Sequence, residues 1–288
     1  MPIRFNIDVA LYKVPGQAGP DAGAVRAEVE VALAAFWPAL GLPAEPAVSI
    51  KQSAEPFELF EFLLELDGQP VPEPVYKPEF SEGSLSFRIM TAVFTNRARL
   101  VNAEQLRELR RSCLAEKNLS PVCSTAPLEV WNSIAGLLLE NGFSLARLAA
   151  CFEFWKPGLQ PEKAFERMIE SLENLRVRLF LNPALAAGNS ETDPGWETRL
   201  PEFYREMYEE LGIILPGFAL ETEKALPVET FRLQFNDLWL PVPADLDAIA
   251  RTQILHWVKH WIRRCAGWFV NTELVNAQLD LLEADNRS

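Results

Sequence analysis

The chain has 288 residues, of which 49% are hydrophobic and 23% charged, enough apolar material for more than one core. A net charge of −13 argues against binding to nucleic acid phosphates or anionic lipid, because both need clustered Lys and Arg. No apolar run reaches the ~18–20 residues that cross a bilayer, and the N-terminal residues lack a secretory signal. Four scattered cysteines without a CxxC pair indicate reduced thiols, so we expect a cytoplasmic protein without disulfides, structural zinc or a cofactor.

The first 124 residues alternate between strand and helix signals. Period-two alternation predicts strands over 3–11, 47–50, 59–66 and 85–90, with a turn at Asp67-Gly68. A helical period from Asp21 places Val25, Val29, Leu33, Phe36, Trp37 and Leu40 on one face, and Gly41 ends that helix. A second helix is predicted over 103–115, with Asn102 as its N-cap.

The segment from 125 to 174 has helical signals only. Apolar residues at Leu128, Trp131, Ile134 and Leu138 predict one helix, which closes at Asn141-Gly142. Ser144 is the expected cap of a second helix, and Pro161 opens a third. We therefore expect a compact three-helix unit.

The last part of the chain, 175–288, repeats the order of the first. Strands are predicted over 175–181, 217–220 and 229–235. A helix over 196–211 ends at Gly212, and a further helix over 245–266 occupies the place of the strand predicted at 85–90. Asn271 is the expected cap of a last helix, as Asn102 is in the first part.

Three features occur twice in the same order: two short phrases and, between them, the end of a predicted strand at Asp67 and at Asn236. Leu-Gly followed within four residues by Pro recurs at 40–43 and 211–216, and Val-Asn-x-Glu recurs at 101–104 and 270–273. Asp67 lies 34 residues before Val101, and Asn236 lies 34 residues before Val270. Repetition at a nearly constant offset, 171 and then 169 residues, indicates a duplicated scaffold. We therefore predict an α+β protein in which two similar β-α-β-β-α modules (1–124 and 175–288) flank the three-helix unit (125–174).

Several of these segments resemble a known family. The residues at 204–216, 226–235, 252–260 and 270–282, and those at 134–148 in the helical unit, are similar to the cytoplasmic domain of the export-gate proteins of flagellar and virulence-associated type III secretion. The resemblance implies an α+β cytoplasmic domain that docks secretion components, chaperones or exported substrates. From this sequence we expect neither the transmembrane part of the family nor its inserted subdomain, so its docking residues are not carried over.

Catalytic and metal-binding patterns are weak. His256 and His260 stand at i and i+4, but the Glu of the hydrolytic zinc motif is absent and Lys259 and Arg263 would repel a cation. Phosphate-binding and nucleophile-elbow motifs do not occur. The helix-turn-helix pattern over 128–156 could indicate DNA binding, but its second helix offers Arg147 among mostly apolar residues, which favours core packing.

Aromatic residues outside the predicted helical cores are the candidate partner-binding residues: Trp239 and Leu240 in the turn over 237–241, and Trp268 and Phe269 before the last helix cap. Trp37, Trp131, Trp155 and Trp196 lie on apolar helix faces and are expected in cores. The alternative for each candidate is ordinary core packing.

We therefore expect a non-enzymatic protein-interaction module without bound metal or cofactor. Its acidic surface favours basic partners, and such an interaction module could also form a homo-oligomer. Two alternatives stay open: an enzyme or small-molecule binder with a site between the two modules, and a transcriptional regulator that uses the helical unit.

Overall fold

The structure, a computed structural model, describes residues 4–12, 19–43, 45–53, 62–71, 84–115, 121–172, 177–187, 195–212, 215, 218–227, 230–242, 251–265 and 267. The chain divides into two compact units, residues 1–165 and most of 166–288. The predicted helices after residue 125 belong to the first unit as far as residue 165. The division into 1–124, 125–174 and 175–288 stays a prediction.

The described residues form ten α-helices and two four-stranded mixed sheets, which confirms the α+β class. The strands are β1 (Arg4–Leu11), β2 (Glu45–Gln52), β3 (Phe62–Leu66), β4 (Gln69–Val71), β5 (Val177–Leu181), β6 (Phe218–Thr222), β7 (Phe231–Phe235) and β8 (Leu238–Leu240). The helices are α1 (Ala22–Leu40), α2 (Leu85–Thr95), α3 (Ala103–Ala115), α4 (Pro121–Thr125), α5 (Leu128–Glu140), α6 (Leu148–Phe154), α7 (Pro161–Ser171), α8 (Pro183–Ala187), α9 (Trp196–Leu211) and α10 (Arg251–Arg264).

The two sheets have the same topology. Their strand orders are β2-β1-β3-β4 and β6-β5-β7-β8, and in each the first pair is parallel while the other two are antiparallel. Each parallel pair is connected through a helix, α1 or α9, as a parallel connection requires. The common topology is a structural finding, and the duplication of the sequence stays a prediction.

Helix α1 follows its sequence signals closely. Asp21 accepts hydrogen bonds from the backbone N–H groups of Gly23 and Ala24, and Gly41 ends the helix at a φ of 71°. The six residues predicted on one face are all buried: Val25, Val29, Leu33, Phe36, Trp37 and Leu40. In the core they meet the inward side chains of β1, for example where the ring of Trp37 lies 5.6 Å from that of Phe5.

The strand predicted over 85–90 is wrong, because this segment is part of helix α2. Ser84 caps the helix by accepting a hydrogen bond from the Phe87 N–H. Residues 86, 87 and 89–94 are all buried, so the helix has no polar face that would reveal its period. Both parts of the chain therefore have a helix here, since α10 follows β8 as α2 follows β4.

Arg97 joins α2 to the helices that follow. It lies in a 3-10 helix, Arg97–Leu100, and its guanidinium is buried. It donates to the carbonyls of Phe94, Leu139 and Glu140, so it satisfies acceptors at the C-terminal ends of α2 and α5. Nothing in the sequence distinguishes this arginine from its exposed neighbour Arg99.

The helical segment packs around aromatic residues. Trp131 of α5 and Phe152 of α6 are fully buried, and their ring centroids are 4.0 Å apart. Ser144 caps the 3-10 helix that precedes α6, as predicted, by accepting from the Ala146 N–H. Leu148, Cys151 and Phe152 of α6 are all buried, so these residues pack in the core, as the sequence pattern favours. The predicted core positions of Trp37, Trp131, Trp155 and Trp196 are confirmed.

In the second unit the sequence missed one strand. The segment over 237–241, interpreted as a turn, contains β8, which forms a hairpin with β7 through Asn236-Asp237. Asn236 has a φ of 51° and its counterpart Asp67 has a φ of 50°. Asn and Asp tolerate this left-handed conformation better than most residues. The fourth strand of each sheet has only three residues, which explains why periodicity did not reveal it.

Helices α9 and α10 are joined by charged side chains. Arg263 donates to both carboxylate oxygens of Glu210, with 2.9 Å between Nη2 and Oε2. Lys259 Nζ lies 3.1 Å from Glu210 and 3.6 Å from Glu206. The hydrogen bond from Arg263 is the largest of the effects that lower the pKa of Glu210. The Lys259 and Arg263 side chains therefore serve as structural ion pairs.

Candidate functional site

The two faces of the second sheet differ in chemistry. Its inward residues on β5, β7 and β8 are buried aliphatic and aromatic side chains. Its outward side chains alternate with these, as the period of a strand requires. They combine aromatic rings with polar and cationic groups: Arg178, Phe180, Arg232, Gln234 and Trp239.

Three of these outward residues form one cluster, which we name the aromatic cluster: Phe180, Arg232 and Trp239. Register pairs Phe180 with Arg232, and Gln234 with Trp239. The indole lies 5.0 Å from the Phe180 ring, and the Arg232 guanidinium lies 5.6 Å from the indole. The indole is therefore in contact with both an aromatic ring and a cation, which stabilises one orientation of it.

Acidic neighbours hold the two arginines of this face. Arg232 Nη1 lies 3.5 Å from Glu223 Oε1, and Arg178 Nε lies 3.8 Å from Glu221 Oε1. All four side chains are partly exposed, so each pair contributes only about 0–1 kcal/mol to stability. Their main effect is to orient the guanidinium groups beside the aromatic rings.

The corresponding face of the first sheet has no such cluster. Strand register places Ala10, Leu63 and Pro70 where the second sheet has Phe180, Arg232 and Trp239. The backbone scaffold is shared, but the aromatic and cationic side chains belong to the second sheet. If both sheets served only as a structural scaffold, their outward side chains would not need to differ in this way.

The structure separates the four predicted partner-binding residues. Trp239 is half-buried on the outward face, whereas Leu240 is 5% exposed and lies on the core face. A partner can therefore contact Trp239 but not Leu240, whose burial anchors the strand. Trp268 and Phe269 lie outside the described residues. The sequence analysis missed Phe180 and Arg232, although alternation along β5 and β7 could have placed both opposite the core.

The two histidines have different surroundings. His256 is exposed, while His260 is 4% exposed and lies between the rings of Trp257 and Trp261. Burial, together with the nearby charges of Arg264, His256 and Arg263, lowers the pKa of His260 to about 3. Its imidazole is therefore neutral at physiological pH. Across the described ranges, no three His, Cys, Asp or Glu side chains are grouped as metal ligands.

The four cysteines are not joined in disulfides, and three of them are buried: Cys123, Cys151 and Cys265. Burial raises the pKa of Cys151 to about 12 and is the main cause of the raised pKa of Cys123. Thiols with raised pKa values are weak nucleophiles at neutral pH.

Within the described ranges, no helix has the length and apolar character needed to span a bilayer.

Comparisons with known proteins give structural similarities only, since no family model and no curated protein matches the chain. The chain is similar to CdsV of Chlamydia pneumoniae in complex with CdsO, at a TM-score of 0.37 and 12% identity, over 76% of this chain and 86% of that one. MxiA of Shigella flexneri gives a TM-score of 0.38 and 12% identity over 75% and 84%. SctV-C of EPEC, solved as a nonamer, gives 0.36 and 11% over 79% and 95%.

These solved structures come from the family that the sequence resembles, the export-gate proteins of type III secretion. Similarities at TM-scores below 0.5 transfer no function from those proteins to this chain.

Proposed function

We propose that the chain is a non-enzymatic protein-interaction module that binds a partner through the outward face of its second sheet. One observation carries this proposal: the half-buried Trp239 is held between Phe180 and Arg232 on a face where the first sheet has Pro70, Ala10 and Leu63. Tryptophan and arginine are the residues that most often dominate the energetics of protein interfaces. A preoriented indole also loses little conformational entropy on binding.

The proposed partners are components of a type III secretion apparatus, their chaperones or exported substrates, in the cytoplasm. Support for this choice comes from the phrases shared with the export-gate family at 204–216 and 134–148. The net charge of −13 favours basic partners by long-range attraction. We also propose that the chain forms a homo-oligomer. Trp268 and Phe269 are proposed as further partner-binding residues.

Binding of purified secretion components, chaperones and substrates to the full chain tests this proposal. We expect one of them to bind, and Trp239→Ala to weaken that binding at least about tenfold, as the loss of an interface anchor does. Leu63→Ala is the matched control, because Leu63 is an apolar residue, 39% exposed, on the corresponding face of the first sheet. We expect this control to bind like the unchanged chain.

Two results would contradict the proposal. One is that no purified component binds. The other is that Trp239→Ala, with an unchanged circular dichroism spectrum and melting temperature, binds the partner as tightly as Leu63→Ala does.

A further inference from the structure

Helices α1 and α9 occupy equivalent places, yet their faces differ in exposure. Both end in Leu-Gly with the glycine in the left-handed region, which aligns Leu40 with Leu211. On α1 the residues one, two and three turns before this end are buried: Trp37, Leu33 and Val29 are 4%, 1% and 0% exposed. Their counterparts on α9 are Leu200 and Tyr204, both half-buried, and Tyr208, 38% exposed.

The strand beside each helix shows the same difference. Register aligns Val48 and Ile50 of β2, each 9% exposed, with Phe218 and Leu220 of β6, which are only half-buried. The Tyr204 side chain hydrogen-bonds the Phe218 backbone, so this helix face and this strand adjoin. We name the five half-open residues the α9–β6 strip: Leu200, Tyr204, Tyr208, Phe218 and Leu220.

Strand β6 is also an edge strand, with β5 as its sheet partner on one side in the part of the chain that the structure describes. The Glu223 N–H donates to the Leu181 carbonyl at 2.8 Å, so the odd-numbered residues of β6 point their backbone groups toward β5. Because backbone groups alternate along a strand, the N–H and C=O of Leu220 and Thr222 point away from β5. The side chains of these same even-numbered residues lie on the face that carries the strip.

The charge around the strip selects the partner's chemistry. Glu197 and Glu209 are exposed on α9, one turn or less from strip residues. Glu221 and Glu223 carry their side chains on the opposite, outward face of the sheet, near Arg178 and Arg232. Two cations lie on α9 as well, the exposed Arg205 and the half-buried Arg199, but the whole chain carries −13. A basic segment therefore matches this edge better than an acidic one.

We propose that β6 binds an extended segment of a partner protein as an added β-strand. Alternate apolar side chains of that segment contact the α9–β6 strip, and the Lys or Arg side chains between them lie on the opposite face of the sheet, beside Glu221 and Glu223. Backbone hydrogen bonds to Leu220 and Thr222 supply affinity, and the strip supplies specificity, as in other sheets that bind peptides at an edge. The inference rests on the proposed protein-binding function, but it uses a surface other than the aromatic cluster.

The test uses the full chain and a fluorescein-labelled peptide that alternates valine with lysine, followed by fluorescence anisotropy. Thr222→Pro removes a backbone N–H that points away from β5 and leaves the β5 ladder intact, since proline is tolerated at such edge positions. We expect it to weaken binding about tenfold. Gln52→Pro, the equivalent change on β2, is the matched control and should bind like the unchanged chain.

Tyr208→Ala gives a second route that does not alter the backbone, because Tyr208 is 38% exposed. It should weaken binding of the alternating peptide about tenfold at an unchanged melting temperature. A peptide of the same composition with valines and lysines in separate blocks, and one that alternates valine with glutamate, should bind at least about tenfold more weakly than the first.

Four results would overturn the proposal: no binding of the alternating peptide, equal affinities of Thr222→Pro and Gln52→Pro, an unchanged affinity of Tyr208→Ala, or equal binding of the block peptide. Self-association in sedimentation that Thr222→Pro abolishes would make a second copy the occupant and would also overturn it. The two proposals can fail separately. If the alternating peptide still binds Trp239→Ala, and no partner is found whose binding depends on Trp239, the proposed function is wrong while this inference is supported.

Discussion

Asn102 donates a hydrogen bond from Nδ2 to Asp67 Oδ2 at 3.0 Å, and so joins the start of helix α3 to the β3–β4 hairpin. The same side chain accepts from the backbone N–H groups of Glu104 and Gln105. Gln105 returns a bond, since its Oε1 accepts from the Asn102 N–H at 2.9 Å. This contact brings the hairpin residue Asp67 next to the Val101-Asn102 phrase, two of the features that recur in the sequence. Asn271, the predicted counterpart, lies outside the described residues.

Asn102→Asp should destabilise the chain by about 1–2 kcal/mol, although aspartate is as good a helix cap as asparagine. The change removes the Nδ2 donor and places a second carboxylate beside Asp67. Adding Asp67→Asn reverses the direction of the hydrogen bond and should recover most of the loss. Urea unfolding of the two single variants and the double variant measures this as a coupling energy. Additive effects in that cycle would show that the contact contributes little.

Gly41→Ala should be more destabilising than Gly212→Ala. Both glycines end a helix in the left-handed region, at φ of 71° and 65°, where an alanine costs about 1–2 kcal/mol. At Gly41 a Cβ would also lie 2.9 Å from both the Ala146 backbone nitrogen and Ser144 Oγ, while at Gly212 it meets nothing within 4 Å. The difference in the free energy of unfolding between the two variants measures this crowding. Equal losses would show that the Gly41 corner relaxes without strain.

Arg97→Met should destabilise the chain by about 3–5 kcal/mol, because it leaves carbonyls at two helix ends without their buried donor. Lysine at this position cannot reproduce the planar arrangement of donors, so Arg97→Lys should recover only part of the loss. Arg99→Ala is the control, since Arg99 is exposed and a change there should stay within about 0.5 kcal/mol. Chemical denaturation of the three variants would reveal whether Arg97 and Arg99 differ as expected.

Stability should fall with acidification through His260. Burial lowers its pKa from 6.5 to about 3, so below pH 6.5 the unfolded chain binds a proton that the folded chain excludes. The contribution is complete above about pH 6.5 and decreases by about 1.4 kcal/mol per pH unit as the pH drops toward 3. His260→Leu should reduce this slope by about one proton. His256→Gln removes only one of the smaller effects on the pKa of His260 and should change the slope much less. The free energy of unfolding of the unchanged chain and of both variants, measured between about pH 3 and pH 6.5, tests this prediction.

Sequence patterns were reliable where burial is one-sided. Helix α1 has a buried face and an exposed face, so its period, its cap Asp21 and its end at Gly41 could be predicted from the chain alone. The same reasoning failed at α2, whose residues are buried on nearly every side, and at the three-residue strand β8. On α9 the helical period puts Leu200, Tyr208 and Leu211 on the same face as Trp196, yet none of those three is buried.

The candidate site was only partly predictable for a related reason. The composition around Trp239 marked it as unusual, but its neighbours Phe180 and Arg232 are 59 and 7 residues away in the sequence. They meet because of the β5–β7–β8 register, which no local pattern specifies. Leu240 stands next to Trp239, yet the alternation of a strand places it in the core.

By itself, the sequence determined the α+β class and the ends of helices such as α1 and α9, because these depend on periodicity and capping within a few residues. Only the tertiary structure decided which side chains meet across strands, that Arg97 joins two helix ends, and that the face of α9 stays half open where that of α1 is closed. Such contacts depend on register, burial and packing between segments far apart in the chain, which local pattern does not encode.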